Sequence, residues 1–84
     1  MTKVLKKFIT DVNAINEIDY GDFMRKANHY FIELQDQLHA NSSDSIQSTL
    51  FQIKLHLQYT PNWNVESTRR YLLQEIKLLD SYIQ

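Results

Sequence analysis

Cysteine is absent from this 84-residue sequence, and glycine and proline occur once each. Without cysteine the chain has no disulfide, no thiolate metal site and no cysteine nucleophile. The scarcity of glycine and proline argues against a β-rich fold, because strands joined by tight turns need these residues repeatedly. The longest uninterrupted apolar run is three residues, far below the roughly 20 that cross a bilayer. We therefore expect a helical protein with no membrane-spanning segment.

Charge is spread unevenly, although the formal net charge is only −1. The stretches 8–24 and 27–53 contain acids but neither lysine nor arginine. Nucleic-acid binding needs bases gathered on one face, whereas seven of the nine lysines and arginines here fall into three separate groups: Lys3, Lys6 and Lys7; Arg25 and Lys26; Arg69 and Arg70. The pattern argues against a nucleic-acid partner. It also lacks an apolar segment after the first lysines, so we predict no secretory signal and a cytoplasmic location.

Four stretches carry apolar residues at helical spacing, which predicts an all-α fold. Their links are short, so a four-helix antiparallel bundle or a closely related small helical packing is expected, as one domain over residues 1–84. Phe51 and Leu55 are assigned to the apolar stripe of the third helix, and Leu73 and Leu78 to that of the fourth. The centres of the last two stripes predict four core residues: Leu50, Ile53, Leu72 and Ile76.

The breaks between stripes contain capping residues. Gly21 lies between Asp19 and Asp22, either of which suits a helix start, and Asn41-Ser42-Ser43-Asp44 precedes the third stripe. Two starts compete for the fourth helix. Thr60 caps it if Pro61 is the first helical residue, whereas Asn64 caps it if the helix starts at Val65. We favour Asn64, because Asn-Trp-Asn is a poor helix-forming run.

Side chains suited to catalysis or to metals are few. The histidines have no i, i+4 pair: His29, His39 and His56. Asp36 and His39 have the spacing of carboxylate-bridged metal bundles, but such sites need that motif twice. One glycine cannot form a phosphate-binding loop. We therefore predict no catalytic residue, no metal and no cofactor.

In an up-down bundle the first and third connections lie at the same end. That arrangement would gather acids and aromatics, the residue types of interface hot spots. The predicted partner-binding residues are Glu17, Asp19, Tyr20, Asp22, Tyr59 and Trp63, with a secondary set of Glu33, Asp36 and Asp44. Trp63 has two interpretations, as a lid on the core or as an interface anchor.

These features favour a protein-binding module. The sharpest form of the hypothesis is an inhibitor or immunity protein of a toxin–antitoxin kind, which occludes a basic toxin domain such as a nuclease. The alternative is a small regulatory or adaptor domain that self-associates, as a homo-oligomer, or works within a larger assembly. A third class is a helical nucleic-acid-binding regulator that would use Arg25, Lys26, Arg69 and Arg70.

Overall fold

The computed structural model describes residues 1–38, 43–59 and 63–83. These residues form four helices and no strand, as the apolar periodicity predicts. The helices are α1 (Lys3–Asn13), α2 (Tyr20–Leu38), α3 (Asp44–Tyr59) and α4 (Val65–Ile83). None of them, in the part of the chain that is described, has the length and apolarity needed to cross a membrane.

Each helix is directly preceded by a polar residue whose side chain accepts a hydrogen bond from the backbone N–H three residues later. Asp19 Oδ2 accepts from the Asp22 N–H at 3.0 Å, and Asn64 Oδ1 accepts from the Ser67 N–H at 2.9 Å. Thr2 and Ser43 serve α1 and α3 in the same way. Such caps satisfy backbone donors that have no partner within the helix. The choice of Asn64 for α4 is therefore confirmed, while Thr60 and Pro61 lie outside the described residues.

Asp19 is the cap of the two that the sequence offers, so Gly21 lies in the first turn of α2, and its φ is not positive. A Cβ at this position would come within 3.1 Å of Asp19 Oδ2. That oxygen is the one that caps the helix. The glycine thus leaves room for the capping carboxylate.

The helices pack in a ring, with α1 beside α2 and α4, and α3 beside α2 and α4. Contacts between residues distant in sequence show that α4 runs antiparallel to α1. Arg69, near the start of α4, donates to the carbonyl of Asn13 at the end of α1 at 3.1 Å. The Met1 amino group, at the other end, lies 3.9 Å from the Asp80 carboxylate.

One apolar core lies between the four helices. The four predicted centres are confirmed, since Leu50, Ile53, Leu72 and Ile76 are all buried. Three residues assigned to apolar stripes are instead exposed: Phe51, Leu73 and Leu78. Four helices that meet in a ring bury only one side of each, so residues at the margin of a wide stripe stay in water.

Candidate functional site

Three aromatic rings pack together where α3 ends and α4 begins: His56, Trp63 and Tyr71. The His56 ring lies flat against Tyr71, with centroids 3.9 Å apart and planes at 17°. Trp63 meets the same imidazole edge-on, with centroids 4.4 Å apart. The Tyr71 hydroxyl donates to the Gln52 carbonyl at 3.4 Å, which ties α4 to α3. We call these three rings, His56, Trp63 and Tyr71, together with Tyr59 at the last position of α3, the aromatic end.

The aromatic end presents large side chains to solvent. Tyr59 is 72% exposed, at the last position of α3, and Trp63 is 42% exposed although one side of its ring packs on His56. Trp63 thus packs on His56 and Tyr71 and is not one of the described residues that pack against the apolar core, while its role as an interface anchor stays a prediction. A large aromatic that is held by its neighbours loses little side-chain entropy when a partner covers it.

Burial changes the acid–base behaviour of this region. Desolvation lowers the pKa of His56, because its ring lies between two others and its charged form would lose hydration. Desolvation raises the pKa of Tyr71, and the neighbouring Glu75 carboxylate raises it further. Burial also raises the pKa of Glu75. The surroundings of the stack therefore favour the neutral forms of all three residues.

The predicted acids have specific structural partners. Glu17 accepts a hydrogen bond from Lys26 Nζ at 2.6 Å, and Asp22 is ion-paired with Arg25. Asp19 caps α2 and remains exposed. Glu17 and Asp22 line one open depression together with the two bases that neutralise them. Among these three acids, Asp19 is the one whose carboxylate has no basic side chain within ion-pair distance among the described residues.

The first connection and the start of α4 lie at one end of the bundle, as predicted. The Thr68 hydroxyl lies 3.4 Å from the Tyr20 hydroxyl, and the Arg69 guanidinium donates to the carbonyls of Asn13 and Ile15. Two residues along a helix correspond to a rotation of about 200°. Arg69 and Tyr71 therefore point to opposite sides of α4. The acids of the first connection and the aromatic end share this end of the bundle but are separated by α4.

The secondary set of predicted residues also contains both paired and unpaired acids among the described residues. Glu33 Oε2 lies 3.5 Å from Lys7 Nζ, and Glu33 Oε1 lies 3.5 Å from His29 Nε2. Asp36 and Asp44 are exposed, and none of the ion pairs formed within the described ranges includes either of them. Asp36 and Asp44 thus join Asp19 as acids that have no ion-pair partner among the described residues.

The Arg69 guanidinium is engaged in contacts within the bundle. Besides its two carbonyl acceptors, its guanidinium lies 5.2 Å from the centroid of the Phe23 ring. A nucleic-acid site that relied on Arg69 would have to break these contacts. Within residues 1–38, 43–59 and 63–83 no group of three or more potential ligands could hold a metal ion. His39 lies outside these ranges, so the structure describes only Asp36 of the Asp36–His39 pair.

Sequence reasoning missed two features of this surface. It assigned Phe51 and Leu55 to the apolar stripe of the third helix, yet Phe51, Leu55 and Tyr59 lie four residues apart along the side of α3 opposite its buried residues. That spacing was available in the sequence as a signal. The stack of His56 on Tyr71 had no such signal, because it depends on how α3 and α4 are rotated against each other.

Comparisons of this chain with protein-family models, with curated proteins and with solved structures find no match.

Proposed function

We propose that this protein is a protein-binding module of the inhibitor or immunity type, and that its partner docks on the aromatic end. The observation that carries the proposal is a pair of exposed aromatics where α3 ends and α4 begins: Trp63, which packs against His56 and Tyr71, and Tyr59, the last residue of α3. Tyrosine and tryptophan are enriched among the residues that dominate binding energy. Their exposure here, next to a rigid stack, supplies a preformed anchor.

Three acids elsewhere on the molecule favour a basic partner, although none of them belongs to the aromatic end. Glu17, Asp22 and Glu33 have basic neighbours that offset their charge, whereas Asp19, Asp36 and Asp44 have none among the described residues. Unpaired surface charges speed the encounter of oppositely charged proteins and do so less at high salt. A basic toxin domain, such as a nuclease that this chain would occlude, fits that preference.

The first partner to test is the product of the gene beside the one that encodes this chain, co-expressed with it. Replacing Tyr59 by Ala should weaken binding by about 2 kcal/mol or more if Tyr59 is an anchor, mainly through faster dissociation. Tyr82→Ala is the matched control, since Tyr82 is also an exposed tyrosine but lies near the opposite end of α4. Surface plasmon resonance measures both rates, and survival of the co-expressing cells measures protection.

Charge is tested without disturbing the fold. Asp19→Asn removes the charge and keeps a capping side chain, and Asp36→Asn changes an exposed residue. Together they should slow association and flatten its salt dependence, with dissociation unchanged. A Tyr59→Ala protein that binds and protects like the wild type, while Tyr82→Ala does not, would place the interface elsewhere and overturn the proposal.

A further inference from the structure

The His56 ring is the ionisable group in the middle of the aromatic end. It lies flat against Tyr71, and Trp63 meets it edge-on. Trp63 and Tyr71 also pack against each other, with ring centroids 6.0 Å apart and planes at 84°. The His56 Nε2 atom is buried and has no hydrogen-bond partner within the described ranges. The tryptophan that a partner would cover is therefore supported by a side chain that can take up a proton.

The three-ring stack accommodates a protonated imidazole poorly. An imidazolium has an N–H donor on both nitrogens, so the buried Nε2 atom would need an acceptor, and it has none among the described residues. A buried donor without an acceptor costs free energy, and a buried charge without a partner costs more. Rotation of the ring into water removes both costs, and the ring can reach water because His56 is only half-buried.

The charges around the stack do not hold an imidazolium in place. The titratable and charged groups around it are Tyr59 on α3 and Arg70, Tyr71 and Glu75 on α4. Arg70 lines an open depression together with Trp63 and Tyr71, so a second cation there would be repelled. Glu75 acts on the Tyr71 phenol, and none of the ion pairs within the described ranges joins it to His56. Burial alone lowers the pKa of His56.

We propose that His56 is a proton switch for the aromatic end: the neutral ring holds Trp63 in position for docking, and the protonated ring leaves the stack and releases it. Release of Trp63 depends only on the ring contacts, whereas control of docking rests on the proposed function. A partner that selects the neutral form has an apparent dissociation constant equal to the intrinsic value divided by the neutral fraction. Affinity is therefore full above pH 6.5, the ordinary pKa of histidine, and falls as pH drops through the lower pKa of the buried ring.

Fluorescence tests the switch without any partner, because Trp63 is the only tryptophan of the chain. Acrylamide quenches a tryptophan more strongly when its ring is more exposed. We expect the quenching constant of the wild type to rise between about pH 7.5 and about pH 5.5, along a one-proton curve with its midpoint below 6.5. Far-UV circular dichroism should stay constant over this range, which separates release of one ring from unfolding. In His56→Phe, whose ring cannot be protonated, the quenching constant should not change with pH.

Three control variants keep the response assigned to one residue. His29→Gln and His39→Gln remove the other two histidines of the chain, and Glu75→Gln removes the acid that acts on Tyr71. All three should retain the pH-dependent quenching of the wild type. Quenching that does not change with pH in the wild type would mean that the imidazolium stays in the stack, and it overturns the inference. So does a change with pH that His56→Phe retains in full.

Control of docking is tested with the co-expressed product of the neighbouring gene. For each protein we compare the dissociation constants at about pH 5.5 and about pH 7.5 as a ratio, so titration of the partner itself is common to the wild type and His56→Phe. The wild-type ratio should exceed that of His56→Phe by between about twofold and about tenfold, since one proton titrating below pH 6.5 leaves at least about a tenth of the rings neutral. Equal ratios overturn control of docking by His56. Absence of binding at both pH values contradicts the proposed function instead, and the fluorescence of Trp63 then decides the switch alone.

Discussion

His56 is the residue whose chemistry the fold changes most directly. Its ring is enclosed by Trp63 and Tyr71, and its Nε2 is buried with no hydrogen-bond partner in the part of the chain that is described. A neutral imidazole tolerates such a site, whereas an imidazolium would lose hydration without gaining an acceptor. Protonation of His56 should therefore weaken the packing of α3 on α4, so this contact depends on pH.

Stability should fall on mild acidification because of His56. Its ordinary pKa is 6.5 and burial lowers the value in the folded protein. As pH falls below about 6.5 the unfolded chain binds the proton first, so the free energy of unfolding decreases until the folded pKa is passed. Urea unfolding at a series of pH values measures the effect. His56→Phe keeps a stacked ring and removes the titration, so its stability should vary less in this window.

Glu75 changes the free energy of unfolding with pH in the opposite direction to His56, so the two effects have to be separated. Burial raises its pKa above the ordinary 4.5, so the folded protein binds the proton more readily and this carboxyl stabilises the fold as pH falls through its folded pKa. Glu75→Gln removes that contribution. His29→Gln is the control for His56, since His29 is exposed. A His56→Phe protein with the same pH dependence as the wild type would exclude His56 as the cause.

At the scale of the elements, four helices follow from apolar periodicity and capping residues alone. Ser43 and Asn64 lie before α3 and α4 as predicted, because a capping oxygen is needed wherever backbone donors begin without partners. The sequence pattern identified Leu50 as a stripe centre but did not show that Phe51, at the margin of the same stripe, is exposed, because that depends on how the helix is rotated in the bundle. That rotation depends on the neighbouring helices rather than on α3.

The N-cap of α4, Asn64, makes a measurable contribution to the free energy of unfolding. Asn64 accepts from the Ser67 N–H through its side chain, and its carbonyl accepts from Thr68 N–H at 3.1 Å. Asn64→Ala should lower the free energy of unfolding by about 1 kcal/mol, because one backbone donor loses its acceptor. Asn64→Asp keeps the acceptor and should remain close to the wild type. Chemical denaturation measures both, and equal losses in the two variants would mean that the side chain does not cap.

At the scale of the whole molecule, the sequence predicts which connections meet but not what holds them together. The shared end of the first connection and α4 follows from up-down topology. Arg69 was grouped with Arg70 as a basic surface pair, because nothing local distinguishes two adjacent arginines. In the structure Arg69 contacts three elements, while Arg70 is exposed. Only the assembled bundle shows that one of them fastens α1 and α2 to α4.

Replacing these two arginines separately should reveal that difference. Arg69→Met removes the donors to the carbonyls of Asn13, at the end of α1, and Ile15, in the first connection, as well as the cation above Phe23. Hydrogen bonds from a charged group contribute about 1.5–3 kcal/mol, so we expect a loss of that order in the free energy of unfolding. Arg70→Met should stay within about 0.5 kcal/mol of the wild type.

Arg69→Lys extends the comparison, because it keeps the charge but lacks the planar fork that reaches two carbonyls at once. We expect it to recover only part of the loss, with the remaining deficit concentrated in α1. Hydrogen exchange should then show the α1 amides opening before those of α3 and α4. If Arg69→Met and Arg70→Met unfold at the same urea concentration, the bundle does not depend on this contact, and packing of the apolar core alone joins α1 to α4.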